Sequence, residues 1–65
     1  MKIDSIKIKL LMAEQDLRQV DLAERCGISR QNISITLSRG TCSPQKASKI
    51  AKALCVPIRE IIKYE

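Results

Sequence analysis

The 65 residues are expected to form one domain, residues 1–65, with no room for a second. A chain of this size buries only about 60% of its unfolded surface. The apolar 45%, with one Tyr and no Phe or Trp, suits a small core of Ile, Leu, Val and Ala rather than an enzyme's deep pocket. The net charge of +5 is unevenly placed: Arg25, Arg30, Arg39, Lys46, Lys49, Lys52 and Arg59 lie between Glu24 and Glu60 with no acid among them. Such a field draws phosphate polymers, although an ordinary solvated surface gives the same count.

The first helix is predicted from Asp4, a good N-cap, to about Gln15 and Asp16, with Ile3 and Ile8 placed to staple its entry. Ile3, Ile6, Leu10 and Ala13 recur at three and four residues and mark its buried face, which Ile8, Leu11 and Met12 widen. A short second helix runs from about Gln19 to Cys26, with Val20, Leu22, Ala23 and Cys26 inward. Gly27 follows where a helix closes in the left-handed conformation. Ser29 then caps a third helix, stapled by Ile28 and Ile33, with Ile33 and Leu37 inward and Gly40 as its stop. Ser43 caps a fourth, with Pro44 in the first helical position and Ala47, Ile50, Ala51 and Leu54 as the inward stripe. Pro57 breaks the chain, and Ile58, Ile61 and Ile62 belong to one or two final turns, a fifth helix. No strand, repeat, linker or low-complexity segment is expected.

The stretch AERCGISRQNIS suits a sharp corner between two helices. Ala23 is small enough for close backbone approach, Gly27 turns the corner, and Leu22, Cys26, Ile28 and Ile33 lock both helices to the first. This is the helix-turn-helix pattern, whose second helix enters the DNA major groove. On the third helix Gln31, Ser34, Ile35 and Ser38 fall opposite Ile33 and Leu37, so the expected solvent face carries amide and hydroxyl groups.

LRQVDLAERCGISRQNIS followed by SPQKASKIAKALCVPIREII resembles the lambda-repressor-like helix-turn-helix proteins of the Cro/repressor type, or Xre family. The likeness covers essentially the whole chain and implies a compact, all-α, five-helix DNA-binding domain with the motif at helices two and three. Its motifs are specific in combination: Gln19, Leu22-Ala23, Gly27, Ile28-Ser29 and Ile33, then Ile50 through Leu54. It implies base contacts by Arg30, Gln31 and Ser34. Gln reads adenine and Arg reads guanine through paired groups, and Ile35 would meet a thymine methyl or form a partly buried helix edge. Gln19 is implied to hold a phosphate. Ser29, Asn32, Arg39, Thr41, Ser43 and Lys46 are the further phosphate candidates, grouped around helix N-termini and the turn before helix four.

The chain departs from the family's pattern in three places. Arg18 stands where relatives carry a capping Thr or Ser, so a weaker start to helix two is expected. Met12 and Leu37 occupy positions where many relatives pair an arginine with a glutamate. The stretch from Ser29 to Gly40 is one residue longer than usual, which shifts the end of helix three.

The leading reading is a regulator that binds a double-stranded DNA operator and represses transcription as a homodimer, with Ile58, Ile62 and Tyr64 as the pairing surface. The alternative is an antitoxin or mobile-element accessory factor that uses the fold chiefly to hold a partner protein. Enzymatic work finds no support: there is no histidine, no Gly-rich phosphate loop and no serine with a visible base. Cys26, Cys42 and Cys55 form no C-x-x-C pair, so no metal or other cofactor is expected and the thiols are read as reduced. Cys26 and Cys55 end apolar stripes and are read as small core residues. Cys42 sits in a turn, where exposure is open. No membrane span, signal-peptide pattern or small-molecule ligand is evident, and a cytoplasmic location is expected.

Overall fold

In the computed structural model the described residues are 1–63. Four helices follow in chain order: α1 (Ser5–Glu14), α2 (Gln19–Cys26), α3 (Arg30–Arg39) and α4 (Pro44–Ala53), then a single 3-10 turn at Ile58–Glu60. Three helix starts are capped as their sequences demand. Asp4 Oδ1 accepts from the Lys7 amide at 3.0 Å, Ser29 Oγ from Asn32 at 3.1 Å and Ser43 Oγ from Lys46 at 3.2 Å. Each bond satisfies an amide that no helical carbonyl can reach.

The ends of α1, α2 and α4 share one device. At the end of α2, Gly27 sits at φ 73°, its amide donates to Glu24 O and the Ile28 amide to Ala23 O. That pair of bonds is the Schellman closure. It recurs at Asp16 (φ 54°) and at Cys55 (φ 59°), where no glycine marks it. In all three the next residue, Leu17, Ile28 or Val56, folds onto the core. Side chains cover other terminal carbonyls: Ser5 Oγ donates to Leu37 O and Gln15 Nε2 to Leu54 O, both at 2.7 Å, and Arg25 to Ala53 O at 3.1 Å.

The core is aliphatic, with Ile8, Leu22, Ile33, Ile50, Leu54 and Ile61 fully buried. Each such side chain contributes about 1.5–3 kcal/mol through removal from water. Ala23, Ala47 and Ala51 are buried among them, and their small size lets α2 and α4 approach closely. Met12 and Leu37 are both buried in this cluster, so the two positions where relatives place an ion pair are apolar core here.

Three expectations are corrected. The fifth helix is only the 3-10 turn, because the residues after Pro57 give their backbone groups to the N-terminus instead. The Asp4 amide donates to Ile61 O at 2.7 Å, Ile3 and Ile62 form an antiparallel bridge, and the Lys63 amide donates to Lys2 O. With the Lys2–Thr41 bridge, these are isolated pairings, and no named strand occurs among the described residues. The second correction concerns α1. Ile3, Ile8 and Met12 are buried, Leu11 is half-buried, and Ile6, Leu10 and Ala13 face solvent. Ile3 precedes the N-cap in a bridge, so its spacing to Ile6 is not a helical one. Thirdly, Cys55 is exposed because it lies two residues beyond α4 in the left-handed turn, whereas Cys26 is buried as expected. All three cysteines are free, Cys42 half-buried.

Candidate nucleic-acid interface

Helix α3 owes its orientation to its buried side. Ile33, Thr36 and Leu37 face the core, and Ser5 fixes the end of the helix through Leu37 O. The opposite side is therefore forced outward: Arg30, Gln31, Ser34, Ile35 and Ser38 are all exposed. Ile35 retains 45% of its surface there, an apolar group in an otherwise polar row.

An open cleft runs along each side of this row. The first, about 580 Å³, lies between the start of α2 and α3 and is lined by Arg18, Gln19, Val20, Arg30, Gln31 and Ser34. The second, about 590 Å³, lies between α3 and the turn into α4, with Ser29, Asn32, Ile35, Arg39, Thr41 and Lys46 in its walls. All the expected base- and phosphate-contacting positions except Ser43 thus border one surface. Ser43 is exposed and spends its hydroxyl on the α4 cap.

Two details were not legible beforehand. Asn32 Oδ1 accepts from Lys46 Nζ at 2.7 Å and from Thr36 Oγ1 at 3.4 Å. A bond from Asn32 to Lys46 ties α3 to the first turn of α4, across fourteen residues that carry no periodic signal. The other detail is the start of α2. Arg18 offers no acceptor for the α2 amides, yet Asp21 reaches back, its carboxylate accepting from the Arg18 amide at 2.9 Å and from its guanidinium at 3.1 Å. Those bonds hold the Asp21 carboxyl below the usual carboxylate range. The expected weak start of α2 is therefore reinforced from its third residue, and Arg18 is brought to the lip of the first cleft.

The electrostatics are one-sided. Among the described residues Arg30, Arg39 and Lys46 make no ion pair, while the half-buried acids Asp21 and Glu60 are engaged by Arg18 and Lys7. Burial pushes the Cys42 thiol up, so the sulfur in the second cleft is held as a neutral thiol. Backbone amides at the α3 N-terminus add partial positive charge beside Arg30.

Helix, corner glycine and outward polar helix together make a helix-turn-helix. The Cro/C1-type HTH DNA-binding domain matches residues 7–65. The chain belongs to that family. This HTH domain is also similar to an uncharacterized HTH-type transcriptional regulator of Methanocaldococcus jannaschii, 43% identical over 61 residues and covering 91% of each chain. No solved structure matches the domain significantly. In the HTH domain α2 and α3 are the two members of the motif, and α3 is the second, outward one. Of the residues expected to pair two copies, Ile58 is 38% exposed on the 3-10 turn and Ile62 is half-buried against the core. Tyr64 lies outside the described residues. Among the described residues no helix is long and apolar enough to cross a membrane, and no cluster of possible metal ligands occurs.

Proposed function

We propose that this HTH domain is a transcriptional regulator, acting as a repressor, that binds operator DNA as a homodimer with α3 of each copy in the major groove. The observation that carries the reading is the exposed row of Arg30, Gln31, Ser34 and Ile35 between two open clefts bordered by unpaired cations. Gln31 has the donor and acceptor that adenine presents in reverse, Arg30 suits guanine, and Ile35 suits the thymine methyl. Gln19, Ser29, Asn32, Arg39, Thr41, Ser43 and Lys46 take the phosphate-facing role, fixing register without reading sequence. The name of the Methanocaldococcus jannaschii relative supports the regulatory role.

Selection of bound duplexes from a random pool, at low and high salt, tests this reading. The expected product is a consensus with two-fold symmetry, its half-sites about one helical turn, roughly 34 Å, apart. A reporter driven by a promoter that overlaps the selected site should be silenced by the intact chain. Salt-sensitive binding with no consensus would replace the regulator by a sequence-blind DNA coat. No DNA binding at all would favour a protein-holding role.

A further inference from the structure

The apolar stripe that periodicity marks on α1 exists, but the monomer does not bury it. Ile6 is 73% exposed and Leu10 60% exposed, the two most open of the large apolar side chains among the described residues. They lie one turn apart on the same side of the helix, and exposed Ala13 continues the row. Scattered surface leucines need no account. A continuous apolar row on one helix, whose reverse side is core, marks a contact surface.

Charge on either flank says what fits there. Lys7 and Glu14 lie on one flank of the row and Lys9 on the other. Along the first flank a cation therefore precedes an acid by two turns. When two identical helices pair antiparallel about a two-fold axis, each flank meets its own counterpart running the other way. Setting Leu10 against Ala13 of a second copy brings Lys7 opposite Glu14, and symmetry repeats the pair. Lys7 also holds Glu60 at 2.8 Å at the surface, and its ammonium has donors for a second carboxylate.

We propose that the Ile6–Leu10–Ala13 face of α1 is where the protein pairs with a second copy of itself, antiparallel and in the register just given. This deepens the homodimer part of the functional reading and places the contact on α1 rather than at Ile58. One ten-residue helix offers less than the roughly 1,200 Å² total of a stable interface, so the dimer is concentration-dependent.

Sedimentation of the full chain across a concentration series, without DNA, tests it. The intact chain should pass from monomer to dimer. Leu10→Lys and Ile6→Lys should each stay monomeric, with helical circular dichroism and melting temperature unchanged because neither side chain supports the core. Glu14→Lys should raise the dissociation constant about tenfold, and the exchange Lys7→Glu with Glu14→Lys should bring it back. A chain monomeric throughout, a dimer indifferent to Leu10→Lys, or an exchange that fails to recover pairing each overturns the proposal. Gln31→Ala should keep full self-association while weakening operator binding, so failure of the pairing model and failure of the DNA reading give different results.

Discussion

Cys55 holds a backbone conformation that glycine adopts at no steric cost. At φ 59° it closes α4 with the same two bonds that Gly27 makes for α2, yet its Cβ crowds the backbone there. The side chain is exposed and anchors no core contact. Cys55→Gly is therefore expected to raise stability by about 1 kcal/mol, seen as a melting temperature roughly 4–8 °C higher. Gly27→Ala is the converse. A Cβ at Gly27 would meet nothing within 4 Å, so the loss, about 1 kcal/mol or more, is conformational strain alone. The contrast also explains what could be read from single residues. Gly27, Gly40, Ser29 and Ser43 declare their positions because backbone freedom or a short acceptor side chain decides them. Asp16 and Cys55 take the left-handed turn because Leu17 and Val56 behind them must reach the core, a demand set by tertiary packing and invisible in either residue.

Among the elements, α2, α3 and α4 were legible because each has one apolar side and one polar side. Helix α1 was not. Ile6, Ile8, Leu10, Leu11, Met12 and Ala13 surround most of its circumference, so periodicity offers two overlapping stripes and cannot choose between them. Bridge pairing of Ile3, beyond the reach of helical spacing, makes the choice by anchoring the helix entry to Thr41's neighbour Gly40 and to Ile62. The start of α2 shows a local compensation of another kind. Asp21 replaces the missing capping acceptor indirectly, by accepting from Arg18 rather than by receiving the α2 amides. Because the folded state depresses the Asp21 pKa, the bonds to Arg18 contribute above the carboxyl's unfolded value and are lost as pH falls through the folded one. Carboxyl-detected NMR should accordingly find Asp21 titrating below an ordinary aspartate. Arg18→Ala should return it toward the usual range and increase fraying of the first turn of α2.

For the molecule as a whole, the decisive feature is that the proposed DNA-facing parts of two helices are joined into one body. The bond from Lys46 Nζ to Asn32 Oδ1 fixes the α4 N-terminus against α3, while the cleft between them stays open. Cations proposed to meet phosphate and groups proposed to meet base edges thus share one rigid surface, and their work is separable. Phosphate contacts release counterions, so each one lost lowers the slope of log affinity against log salt by about 0.9. Lys46→Ala is expected to weaken specific and random duplexes alike and to reduce that slope by about one contact. Gln31→Ala should leave the slope unchanged and cost about 1–3 kcal/mol on the selected operator only. Fluorescence anisotropy on both duplexes over a salt series separates the two behaviours. A slope that falls with Gln31→Ala, or specificity that survives it, would mean that α3 lies along the phosphate backbone rather than in the groove.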